Sequence, residues 1–265
     1  MTRIDQVFKR LKAKREKALI PFITAGDPDL ATTKALALEM VAKGADLLEL
    51  GIPFSDPLAD GPTIQAASNR AVQGGVHLAE VLKLTGEIRR ETDIPLILMG
   101  YYNPIWQYGL ERTAREAAVL GVDGFIIPDL PPEEAGPWRV AAAKAGVAAI
   151  FLAAPTSGAE RIKHLGRLTR GFLYYVSVTG ITGARMELPP DLVTALKEVR
   201  RLVKCPLAVG FGISTPEQVR WLAPYVDGIV VGSAIVQRVA RLKGQELIRE
   251  VGDFVAALKA PLRAR

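Results

Sequence analysis

The sequence predicts an α/β chain folded as one (β/α)8 TIM barrel with an extra N-terminal helix, and three observations carry that expectation. Eight short apolar runs recur along the 265 residues, each followed by a stretch with helical spacing. Glycine and proline punctuate the junctions, and no linker-like or low-complexity segment divides residues 1–265, so one domain is expected throughout. An open doubly wound sheet is the alternative, but such sheets show fewer repeats at this length.

The elements follow in order. Ile4, Val7, Phe8 and Leu11 recur at helical spacing among basic residues, predicting an amphipathic helix over 4–15 ahead of the first strand. Residues 18–23 form an apolar run ended by Ala25-Gly26-Asp27-Pro28, with a helix from Asp29 or Thr32 to Lys43, closed by Gly44. The second strand is 46–50, followed by a proline-rich loop and helices over 63–73 and 78–90. The third is 94–100, with a helix near 104–119 stopped by Gly121. The fourth is 124–127, with a helix starting at Pro131-Pro132-Glu133-Glu134 and ending at Gly146. The fifth, sixth, seventh and eighth are 148–152, 172–177, 206–209 and 228–231, with helices over 159–168, 190–202 and 216–222 and a last helical stretch reaching Leu258.

Hydrophobic residues make up 49% of the chain, ample for a large core and unlike a disordered or fibrous protein. The apolar runs are shorter than a membrane span and the first residues do not read as a leader, so a soluble cytoplasmic protein is expected, without membrane contact. One cysteine, Cys205, excludes an intramolecular disulfide and a cysteine zinc cluster; His77 and His164 stand far apart, and no metal site is expected. The net charge of +6 gathers in residues 9–17 and the C-terminal segment without interleaved aromatics, which favours a solvated helix over nucleic-acid binding.

The chemistry concentrates in residues 46–62. Glu49 interrupts an apolar strand, and desolvation there raises a carboxyl pKa into the range a general acid or base needs. Asp60 follows on a loop with three prolines, where it is expected to remain closer to an ordinary ionised aspartate on a more mobile segment. Two carboxylates in unlike environments can divide acid and base roles. A structural ion pair for Glu49 and a turn role for Asp60 fit the same residues.

The later loops are glycine-rich: Gly180-Ile181-Thr182-Gly183 after the sixth strand, Gly210-Phe211-Gly212 after the seventh, and Gly232-Ser233 after the eighth. In barrels of this class such loops hold a phosphate through backbone N–H groups, although they also suit tight turns. The dinucleotide fingerprint G-x-G-x-x-G is absent after the first strand.

Five stretches then carry a resemblance: 21–28, 49–65, Pro128-Asp129-Leu130-Pro131, 180–183 and 210–213 resemble the tryptophan synthase alpha chain family along nearly the whole chain. The resemblance implies retro-aldol cleavage of indole-3-glycerol phosphate to indole and glyceraldehyde 3-phosphate, a lyase reaction of tryptophan biosynthesis with no cofactor in this chain. It implies that Glu49 and Asp60 are catalytic and that Tyr174 lies near the glycerol portion. Gly183, Gly212, Gly232 and Ser233 would contact phosphate, and Phe22, Met99, Ile126 and Phe211 would form an indole slot. Thr182 would meet Asp60 when loops 53–60 and 178–188 close, while Val178 stands where some members have arginine. The implied partner is a beta chain carrying pyridoxal phosphate, in an alpha2-beta2 heterotetramer, docked near Asp56, Pro57, Asn103 and Pro131. Other barrel isomerases or synthases often need a strand-end lysine, which the first six strands lack. An activity-poor subunit that chiefly activates a partner is the alternative of another class.

Overall fold

Parallel pairing of short apolar strands, each followed by helix, closes most of a barrel in the computed structural model, which describes residues 1–177 and 191–264. The strands are β1 Ala18–Thr24, β2 Leu48–Gly51, β3 Leu96–Met99, β4 Gly124–Ile126, β5 Ala148–Ile150, β6 Leu152–Ala153, β7 Leu173–Val176, β8 Leu207–Gly210 and β9 Gly228–Val231. Their order around the sheet is β5-β4-β3-β2-β1-β9-β8-β7-β6. The two ends of that order are the halves of the expected fifth strand, which breaks at Phe151. The Phe151 N–H donates to Thr169 Oγ1 (3.1 Å) instead of a neighbouring strand, while its carbonyl accepts from Tyr174 N (3.0 Å). One chain segment thus joins both edges of the sheet.

Side chains alternate along each strand, and one set fills the interior. Ile20 and Phe22 of β1, Leu47 just before β2 and Glu49 within it, Ile97 and Met99 of β3, Ile126 of β4, Tyr174 of β7 and Val230 of β9 face inward. The other set packs beneath the surrounding helices. α1 (Arg3–Lys14) closes the end from which the strands start: Ile4, Val7, Phe8 and Leu11 join the interior cluster, and the Phe8 and Phe172 rings lie 5.7 Å apart. Thr2 caps it, accepting from Asp5 N (3.2 Å) while the Asp5 carboxylate accepts from Thr2 N (2.9 Å).

The remaining helices are α2 Leu30–Ala42, α3 Pro62–Gln73, α4 Leu78–Arg89, α5 Tyr102–Tyr108, α6 Leu110–Val119, α7 Gly136–Ala145, α8 Ala159–Leu168, α9 Leu192–Leu202, α10 Pro216–Leu222, α11 Ser233–Arg241 and α12 Gly244–Lys259. Two depart from expectation. The single helix near 104–119 is two, because Gly109 adopts φ +94° between α5 and α6, where an L side chain would be strained. The helix expected from Pro131 starts only at Gly136, after a turn in which Glu134 N donates to Pro131 O (3.0 Å).

One device repeats at the strand starts. Asp46, Asp123 and Asp227, just ahead of β2, β4 and β9, each donate a backbone N–H to a leucine carbonyl on the adjacent strand. Their carboxylates accept the N–H of that same leucine, Leu19, Leu96 or Leu207, all at 2.9 Å. Each pair fixes a register, since a one-residue slip would break both bonds. Asp46 also accepts from Lys259 Nζ at 2.7 Å, which in turn donates to Lys17 O at 3.1 Å, tying α12 to the barrel floor. Both partners are buried. Lys259→Met is expected to lower stability by about 3 kcal/mol in chemical denaturation, because it takes the close cation from a buried carboxylate and leaves only the exposed Arg10, at 3.9 Å.

Candidate active site

Glu49 sits in the middle of β2, in register between Phe22 of β1 and Ile97 of β3, so its side chain enters the barrel interior near the ends of the strands. It is 1% exposed, and its buried Oε2 has no protein partner. Burial, reinforced by the nearby Asp60 charge, raises its carboxyl pKa to about 8. Glu49 is therefore a protonated acid at neutral pH, and the ion-pair reading of this residue fails.

Asp60 differs from the sequence expectation. It is enclosed enough for desolvation to raise its pKa to about 6, opposed by a hydrogen bond from Tyr101 Oη to Oδ2 at 2.9 Å. The loop carrying it is stitched down. Tyr101 Oη also accepts from Ala59 N (2.9 Å), Gln65 of α3 donates to the Asp60 carbonyl (2.9 Å), and Ser68 accepts from Phe54 N (2.8 Å) and donates to Phe54 O (2.9 Å). Asp60 is still the more acidic of the two, so near pH 7 one carboxyl is ionised and the other is not.

The two acids share one cavity at the mouth of the barrel, lined mostly by apolar side chains with a few polar groups. Phe22, Tyr174, Phe211, Gly212, Gly232 and Ser233 line it with them, so the expected catalytic, glycerol and phosphate residues among the described ones converge there. Thr182, Gly183 and Val178 lie outside the described residues. Of the apolar slot, Met99 also lines the cavity, whereas Ile126 does not: it is fully buried in the packed interior. Ile64, Ile213 and Val230 complete the lining and were not anticipated. Nor was the role of Tyr101, whose only sequence signal is its place at the end of the third apolar run.

Two features shape the far wall. Gly210 lies so close to Tyr174 that a β-carbon there would stand 2.1 Å from Tyr174 Oη, so glycine is what lets the tyrosine reach inward. Phe211 then takes φ +72°, unusual for an aromatic residue, and its carbonyl accepts a hydrogen bond from Ser177 Oγ. That conformation sets its ring edge-on to Tyr174, with centroids 5.9 Å apart. On the next strand around, β9, Gly232 precedes α11 and Ser233 begins it, so the first N–H groups of a nine-residue helix lie beside the cavity. Such groups have no partner within the helix and favour an anion.

Comparison with known proteins decides the family. The family model described as "Tryptophan synthase alpha chain" matches residues 8–260. The chain belongs to the tryptophan synthase alpha chain family. It is 52% identical to the tryptophan synthase alpha chain of Geotalea uraniireducens (strain Rf4) over 264 residues, covering 100% of this chain and 99% of the relative. The crystal structure of tryptophan synthase subunit alpha from Legionella pneumophila str. Paris superposes with a TM-score of 0.90 at 40% identity, covering 99% of this chain and 98% of that one. A Mycobacterium tuberculosis tryptophan synthase structure gives 0.90 at 34% identity, covering 100% and 99%. As a tryptophan synthase alpha chain, the protein is a lyase that cleaves indole-3-glycerol phosphate to indole and glyceraldehyde 3-phosphate in tryptophan biosynthesis. Among the described residues, no helix is long and apolar enough to cross a membrane.

Proposed function

We propose that Glu49 and Asp60 are the catalytic pair of this cleavage. The protonated state of Glu49, buried with an unpartnered oxygen in the cavity, carries the assignment. Glu49 gives its proton to the indole carbon that bears the glycerol chain. The resulting carboxylate takes the proton of the adjacent hydroxyl as the carbon–carbon bond breaks, the bond electrons returning to the ring and the alcohol becoming an aldehyde. The acid ends protonated again. Asp60, ionised, faces the ring N–H and stabilises the positive charge that protonation puts on the ring.

The single barrel, read as one domain over 1–265, aims the substrate between these groups. Phe22, Met99 and Phe211 form the apolar slot for the ring, and Tyr174 stands near the glycerol portion. Backbone N–H groups of Gly212, Gly232 and Ser233 hold the phosphate, supported by the α11 terminus. Thr182 and Gly183 keep the roles that the family resemblance implies.

The same reading gives the chain a cytoplasmic setting and a beta-chain partner, which carries pyridoxal phosphate and consumes indole in an alpha2-beta2 assembly. Leu58 (89% exposed) and Trp106 (58%), beside exposed Asp56 and Asn103, present an apolar surface on the catalytic face in support of docking there. Pro131 is half-buried at that face, whereas Pro57 is buried and contributes through its neighbour Leu58. Indole release from indole-3-glycerol phosphate, measured with and without a beta chain, tests the proposal. Turnover by the chain alone and acceleration by the partner are expected; an inactive chain in both arms refutes it.

A further inference from the structure

At the opposite end of the barrel, Lys9, Lys12, Arg15 and Lys17 from α1 and the turn after it face Arg200 and Lys204 from α9 and the turn after it, across a groove of about 1140 Å³. This is the end where strands begin: Lys17, Pro206 and Asp227 directly precede β1, β8 and β9. A second hollow of about 640 Å³ shares Lys17, Arg200 and Asp227 and adds Lys197 and Arg201. Eight cations thus meet three carboxylates, Asp5, Glu16 and Asp227, and most of the chain's net charge of +6 gathers on one concave surface.

Among the described residues, Arg200 is the one member of this set held in an ion pair, with Asp227 at 2.6 Å. Lys197 lies over the Tyr225 ring instead. Elsewhere on the barrel Arg70, Arg89, Arg161 and Lys163 are matched with acids. Basic residues in the last turns of α1 and α9 complement their helix dipoles, which accounts for their sign but not for their convergence. Lys17, half-buried, has its pKa lowered mainly by burial, partly restored by Asp227 and further lowered by Arg200. An anion seated between the two rows would relieve the repulsion.

We propose that this groove is a binding site for an oligophosphate anion, separate from the catalytic mouth. Two rows of cations on either side of a concavity suit a short chain of phosphates, which several ammonium groups can contact at once. Inorganic polyphosphate and the phosphate tail of a nucleoside triphosphate share this chemistry.

Calorimetric titration of the full chain with inorganic tripolyphosphate, at an ionic strength of about 0.1 M, tests it. Saturable binding is expected, weakened at least about tenfold in Lys12→Ala/Lys204→Ala. That double variant should keep wild-type indole release and thermal stability. Ser233→Asp, altered at the other end of the barrel, should bind tripolyphosphate as wild type does, which separates the groove from the catalytic phosphate site. A parallel titration with ATP distinguishes the sources: tighter binding than tripolyphosphate assigns the site to nucleotides, and equal or weaker binding to the phosphate chain alone. Absence of saturation, unchanged affinity in the double variant, or tighter binding of single-stranded RNA than of either probe overturns the proposal.

Discussion

Glu49→Gln abolishes indole release, with kcat falling at least about 10³-fold, while the barrel stays folded. The amide preserves the shape of the side chain but cannot deliver a proton to carbon or receive one from the hydroxyl. The same substitution changes stability in a pH-dependent way. Glu49 titrates near 8 when folded, against an ordinary 4.5 when unfolded, so between those values the folded chain binds the extra proton. Its contribution to stability is fullest below 4.5, declines as pH rises, and is gone above 8, where the native state must bury a charge. Glu49→Gln removes that burden. Relative to wild type it should gain stability on going from pH 5 to pH 9, by on the order of a few kcal/mol, in denaturant titrations at both values. A variant that turns over normally, or whose relative stability is the same at both pH values, contradicts the role.

The second large effect is at Asp60. Asp60→Asn replaces the charge that meets the ring nitrogen with a neutral amide, and kcat should fall about 10²-fold in the same assay. Tyr101→Phe is the graded counterpart. The Tyr101 hydroxyl lowers the Asp60 pKa, so its removal lets that pKa climb above about 6. The low-pH limb of kcat/KM, which reports the ionisation of Asp60 in the free enzyme, should then move upward while activity at higher pH is largely retained. An unmoved limb would mean that Tyr101 serves only the loop.

Much of this was legible in the sequence because parallel strands are covered on both faces and read as uninterrupted apolar runs. A carboxylate inside such a run, Glu49, stands out for the same reason, and its raised pKa follows mainly from burial. The breaks were not legible. Phe151 leaves the ladder because Thr169, eighteen residues later, takes its N–H. Asp60 could not be read from its loop, since what encloses and tunes it is Tyr101, forty-one residues away. Ile126 illustrates the reverse error: an apolar residue on the inward face of a strand serves a packed interior or a binding slot with the same pattern, and only its depth separates the two. The cationic groove likewise required the fold, because only the folded barrel brings residues of α1 and α9 to one concavity.

The account rests on a glutamic acid kept protonated at neutral pH beside an ionised aspartate. Carbon-13 NMR of the chain labelled at glutamate side-chain carboxyls, with Glu49 assigned by its loss in Glu49→Gln, follows that proton directly. A titration midpoint for Glu49 near 8 is predicted, and a midpoint near the ordinary 4.5 would contradict the account.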